Sequence, residues 1–173
     1  VEKQQTQYLI AKVADWTTDL KPRANHVDYR VTVKTPLKKP GAYLITGQMA
    51  NGNLSRVRVW VNDTVIVKKQ LDNQSLYYVA DAATGAPVAN ADVEFFGWKT
   101  VQVAPNVNQF NVVTTKFREK TVTDGQVLLG ANKLEHNYQW LVTATTKPGA
   151  RLAYLGFTHV WYGRMYDQDY NAD

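Results

Sequence analysis

Period-two alternation of apolar and polar side chains is the dominant pattern of this chain. In Val27-Asp28-Tyr29-Arg30-Val31-Thr32-Val33-Lys34 every odd position is apolar and every even one polar. That spacing puts one face in a core and the other in water only when the backbone is extended, so a strand is predicted. The pattern returns in Arg56-Val57-Arg58-Val59-Trp60-Val61-Asn62, where Trp60 is the single large apolar residue on the polar side. Alternation therefore places Trp60 beneath a neighbouring loop and makes it a candidate contact residue.

Turn residues divide the first seventy positions into about five strands. Pro36 and Pro40-Gly41 punctuate the chain, Tyr43-Leu44-Ile45-Thr46 is β-prone, Asn51-Gly52-Asn53 suits a hairpin turn, and Asn62-Asp63 can reverse the chain before Val65-Ile66-Val67. No amphipathic helix is predicted, and strands at this short spacing mark an all-β chain. After Asp72-Asn73-Gln74-Ser75 the pattern begins afresh, which predicts a first domain over 1–75 and a second over 76–165. In the second half, Thr84-Gly85-Ala86-Pro87 reads as a turn. Residues 88–95 read as a strand with Ala91, Val93 and Phe95 on one face, and 109–123 as extended. Asp124-Gly125 turns the chain back to Val127 and Leu129. Residues 138–144 alternate again, Lys147-Pro148-Gly149 turns, and 152–161 form a last strand. Residues 101–108 are read as a loop and the polar, acidic stretch 166–173 as a linker.

Composition supports a packed fold: 45% of the residues are hydrophobic and 20% charged, enough apolar surface to offset the entropy of ordering. The net charge is +5, but the basic runs, Lys34 to Lys39 and Lys68 with Lys69, are short and lie beside turn residues. Solvated edges or loops explain them, and no nucleic-acid partner is expected. The chain has no cysteine, which excludes a disulfide framework, a zinc-thiolate site and a thiol nucleophile. A cysteine-free sandwich suits a bacterial extracytoplasmic setting. The opening residues lack the layout of a signal peptide and no stretch has the length of a membrane span; with Val at position 1, the chain is expected to be a piece of a longer protein.

Candidate chemistry is sparse. His26, His136 and His159 form no His-x-x-x-His or Glu-x-x-His pair, so a metal site would require the fold to gather distant residues, and none is expected. Asp92 and Glu94 share the face opposite Ala91, Val93 and Phe95 and should stand in water, whereas acid or base work prefers a partly desolvated carboxylate. Ser55 and Ser75 lie in no nucleophile elbow, and Thr84-Gly85 and Asp124-Gly125 lack the glycines of a phosphate loop. No catalytic residue and no cofactor is therefore expected. Asn53, Asn62 and Asn73 begin Asn-x-Ser/Thr sequons that matter only in a eukaryotic secreted protein. The aromatic runs Phe95-Phe96-Gly97-Trp98 and Trp161-Tyr162-Gly163-Arg164-Met165-Tyr166 are read mainly as core and interdomain packing. Trp60, Trp98, Trp161 and Tyr162 are the candidates for a ligand or interdomain contact, with a sugar-stacking platform as the rival use.

Three stretches carry a resemblance: Pro40-Gly41-Ala42-Tyr43-Leu44-Ile45, then the run from Tyr77-Tyr78-Val79-Ala80-Asp81 through Thr84-Gly85-Ala86-Pro87-Val88 to Ala91-Asp92-Val93, then Thr123-Asp124-Gly125-Gln126-Val127-Leu128-Leu129. In order and spacing they resemble the macroglobulin-like domains of the bacterial α2-macroglobulin family, over most of residues 40–129. The resemblance implies two tandem immunoglobulin-like, macroglobulin-like antiparallel β-sandwich domains, non-catalytic, within a protease-trapping protein of the periplasm, cell envelope or extracellular space. Its partners would be the other domains of the parent chain and, through regions absent here, target proteases. The Cys-Gly-Glu-Gln thioester found in many members is missing, as is the Asp-Arg-Pro-x-Tyr-Arg-Pro-Gly run that opens one of the family's domains. The alternative is a cell-surface adhesin or carbohydrate-binding module using exposed aromatics. An enzyme would need a pocket that gathers His136, His159 and acidic residues.

Overall fold

The computed structural model describes residues 6–21, 25, 27, 30–147 and 150–158, with the backbone alone for 6, 157 and 158. The chain divides into two compact units, Val1–Lys39 and Pro40–Asp173. In the first, a single 3-10 turn spans Thr6–Tyr8. The strand predicted over 27–34 does not form at its described residues, 27 and 30–34. Val27, Val31 and Val33 are exposed there, and alternation stabilises a strand only when an opposing layer takes up its apolar face.

The second unit is all-β and antiparallel. Its strands are β1 (Gly41–Gln48), β2 (Leu54–Val61), β3 (Thr64–Leu71), β4 (Gln74–Asp81), β5 (Asp92–Gln102), β6 (Phe110–Lys120), β7 (Gln126–Gly130), β8 (Gln139–Thr145) and β9 (Leu152–Thr158). They form a β1-β2 hairpin, a three-stranded sheet in the order β3-β4-β7 and a four-stranded sheet in the order β6-β5-β8-β9. The two larger sheets share one core. Ile66, Tyr77, Val79, Val127 and Leu129 come from one side, and Val93, Phe95, Trp140, Val142, Ala144 and Ala153 from the other. A three-on-four antiparallel sandwich closed by inward-facing alternate residues is the immunoglobulin-like architecture.

The alternation predicted for the second half therefore holds where a facing sheet exists: Ala91, Val93 and Phe95 are buried together, as are Trp140, Val142 and Ala144. In β9 a bulge between Val142 and Thr143 of its partner lets Gly156 adopt φ +89°. The extra residue keeps Leu155 against the core while Tyr154 lies on the opposite face.

The division predicted at 75/76 falls inside β4, which pairs with β3 on one side and β7 on the other. Asp72 and Asn73 are instead the two-residue turn of the β3-β4 hairpin, with Asn73 at φ +53°. A short polar stretch looks the same in sequence whether it links domains or turns a hairpin, and the pairing of 64–71 with 74–81 decides. Two smaller differences have local causes. The strand predicted from 88 begins at Asp92 because Asn90 adopts φ +56°, and residues 101–102, read as loop, extend β5 as partners of Asn111 and Phe110.

Candidate functional site

The most densely bonded polar cluster gathers at one end of the sandwich, around Asp81. Its Oδ1 accepts from Ala83 N (3.0 Å), Thr84 N (2.9 Å) and Thr84 Oγ1 (2.9 Å), closing the turn that follows β4. Its Oδ2 accepts from Arg151 Nη2. The Thr84 amide chiefly, then Arg151, the Thr84 hydroxyl and the Ala83 amide, hold the Asp81 carboxyl far below the usual carboxylate range. Arg151 also lies 3.7 Å from Asp63 Oδ2, while Asp63 Oδ1 accepts from Leu152 N and Thr64 Oγ1, each at 3.0 Å. One guanidinium thus ties the start of β3, the end of β4 and the start of β9. Both carboxylates are taken up by backbone amides, neighbouring hydroxyls and Arg151, a clasp between the sheets.

The other distinctive residues of this region work the same way. Thr121, buried, donates to Val88 O at 2.7 Å and accepts from Ala91 N at 2.8 Å, pinning the segment before β5. Gly125 sits at φ +77° with the space of a Cβ filled by Val79 O at 2.5 Å and Pro87 Cβ at 3.0 Å. No other residue fits that turn without displacing backbone. Ser75, fully buried, donates to Gln70 Oε1 at 2.9 Å, and Gln70 Nε2 donates to Gln74 O at 2.8 Å.

The aromatic candidates are dispersed. Trp60 of β2 stacks face to face on Tyr154 of β9, with centroids 4.0 Å apart and planes 3° from parallel. Its partner is a strand residue rather than the loop expected from sequence. Trp98 lies on the outer face of β5, its ring 6.4 Å from that of Phe96 at an interplanar angle of 24°. Farther along the same face, a shallow trough of about 320 Å³ is lined by Asp92, Glu94, Arg118, Thr143, Thr145 and Thr146. Asp92 and Glu94 point outward there and are paired with Lys120 (2.8 Å) and Arg118 (2.6 Å). Trp161 and Tyr162 lie outside the described residues, as do His26 and His159. His136 lines a separate recess of about 360 Å³ with Ala131, Asn132, Leu134 and Glu135. Among the described residues no group of three or more His, Cys, Asp or Glu side chains could hold a metal ion. Sequence reasoning missed the Asp63–Arg151–Asp81 clasp. The Asp-x-x-Thr spacing of residues 81 and 84 was the available signal for half of it, as an Asp side chain that bonds the backbone two and three residues on.

No family model matches the chain, and no curated protein matches it. Among solved structures it is similar to the rat CD45 extracellular region, domains d3-d4, at 13% identity and a TM-score of 0.26, over 87% of this chain and 79% of that one. The strand pairing and shared core define the sandwich without that likeness. Among the described residues no helix is long and apolar enough to cross a membrane.

Proposed function

We propose that this chain is a non-catalytic scaffold segment of a larger extracytoplasmic protein of the bacterial α2-macroglobulin type, in which β-sandwich domains hold remote protease-engaging elements in place. One observation carries the reading: the stretches that resemble macroglobulin-like domains direct their polar side chains into their own architecture. Asp81 and Thr84 close a turn and Gly125 fits a turn that excludes a Cβ, while Thr121, just before the third stretch, pins the approach to β5. Groups so engaged serve turns and strand junctions.

The test is a broad hydrolase and transferase panel on the folded chain, together with Thr121→Val and Gly125→Ala variants. A scaffold gives no turnover, and the variants lower only the unfolding midpoint. Turnover that survives purification and falls with either variant at temperatures where it stays folded would reject the proposal.

A glycan-binding reading is favoured by the near-parallel Phe96 and Trp98 rings beside a trough of carboxylates and hydroxyls, since sugars combine ring stacking with hydrogen bonds. Saturable quenching of Trp fluorescence by cell-wall polysaccharide, abolished in Trp98→Ala, would support that use over the scaffold one.

A further inference from the structure

β5 and β6 outrun the sandwich. β8 pairs with β5 only as far as Trp98↔Gln139, whereas the β5-β6 ladder continues through Lys99↔Val113, Thr100↔Val112 and Val101↔Asn111 to Gln102↔Phe110. At the point of departure Lys99 is anchored, its Nζ 4.2 Å from the centroid of the Tyr138 ring and 3.8 Å from Glu135 Oε2. Beyond it the two strands form an arm with no third strand beside it among the described residues. Positions 100–115 contain no charged residue, yet Val101, Val103, Val107, Phe110, Val112 and Val113 are all exposed, Phe110 by 54% and Val112 by 64%.

Among the described residues β6 is also the edge of its sheet. An edge strand presents a row of open backbone N–H and C=O groups, and proteins ordinarily blunt such edges with charge, proline or a bulge. The half of β6 next to the sandwich is blunted in that way by Lys116, Arg118, Glu119 and Lys120. The half from Phe110 to Thr115 carries no such device, has no proline and is rich in β-branched residues.

We propose that the Phe110–Thr115 edge pairs with the same edge of a second copy of this chain, antiparallel and about a two-fold axis at Val112 or Val113. The charge pattern is compatible with a second copy and selects the orientation. A two-fold antiparallel pair sets each residue opposite one reflected through the centre, so about Val113 Lys116 meets Phe110, and the other charged positions fall past the start of the partner's β6 at Phe110. No charged side chain then faces a like charge. A parallel in-register pair would set Lys116, Arg118, Glu119 and Lys120 each against its own copy, which is destabilising. The two-fold arrangement also closes on itself, giving a dimer rather than a fibre. The contact is small beside the roughly 1,200–2,000 Å² buried in stable complexes, so the dimer is weak and concentration-dependent.

Sedimentation equilibrium of the whole chain from micromolar to millimolar concentration tests this. A reversible monomer–dimer equilibrium is expected, and Val113→Lys, which places like charges at the centre of the pair, should weaken it by at least about tenfold. Val113 is 39% exposed and lies beyond the core, and an unchanged thermal midpoint confirms that the variant folds. A third chain, Val65→Lys on the outward side of β3, should dimerise like the parent. A monomer at every concentration, an open-ended assembly, a dimer indifferent to Val113→Lys, or one lost equally in Val65→Lys would each overturn the proposal.

Discussion

Gly97 on β5 lies opposite Trp140 on β8, and a Cβ built there would stand 2.9 Å from the indole. Trp140 has little room to yield. It is 2% exposed, its Nε1 donates to Glu135 O at 3.1 Å, and its ring meets Phe117 at 5.8 Å and Tyr138 at 5.7 Å. Two opposing effects decide the outcome of Gly97→Ala. Alanine restricts the unfolded chain and favours the strand by roughly 0.5–1 kcal/mol. One extra methyl pressed into a packed core costs about 1–3 kcal/mol. Packing wins, and a net loss of about 1–2 kcal/mol follows. Urea unfolding followed by far-ultraviolet circular dichroism should show a lower midpoint with an unchanged slope. If the six-membered ring of the indole is the obstacle, Trp140→Phe makes room, and the double variant should be less destabilised than the sum of the singles by about 1 kcal/mol or more. A neutral Gly97→Ala, or strict additivity, would refute the reasoning.

Thr121→Val keeps the shape but strands Val88 O and Ala91 N, and should lower stability by about 2–3 kcal/mol in urea unfolding, whereas Thr121→Ser should retain most of it. Asp81 has a depressed carboxyl pKa, so its contribution is complete above the unfolded value of about 3.9 and is lost as pH falls below that. The thermal midpoint of the parent chain should therefore decline more steeply between about pH 5 and pH 2 than that of Asp81→Asn, and parallel slopes would contradict the clasp. Trp60→Ala and Tyr154→Ala should be non-additive by about 0.5–1.5 kcal/mol in a thermal-unfolding cycle, as their parallel stack requires.

What sequence made legible was whatever a single segment determines. Alternation at Ala91, Val93 and Phe95, and again at Trp140, Val142 and Ala144, identified inward faces because an extended backbone fixes which way each side chain points. The same rule could not say whether another layer would cover the face. Residues 27–34 alternate more cleanly than β8, yet no strand forms at those of them that are described. In β2, Val57 alternates correctly and is 54% exposed, because among the described residues no core layer covers that face of the β1-β2 hairpin. The predicted boundary at 75/76 failed for a related reason. Asp72-Asn73 marks a reversal, and only the pairing of β4 with β3 on one side and with β7, some fifty residues away, on the other shows that the chain stays in one sheet.

The candidate site was less legible, because its parts come together across longer separations. Arg151 reaches Asp81 over 70 positions, and Leu152 N reaches Asp63 over 89. No local periodicity encodes such a meeting. Asp81 resembles a surface turn residue in sequence, and a carboxyl pKa so depressed would ordinarily mark a functional group. Here each source of the shift is a bond that closes a turn or joins β9 to β4, so the same electrostatics that would activate a catalytic carboxylate instead tie it down. Exposed apolar side chains that serve no core lie instead along the uncharged arm from 100 to 115.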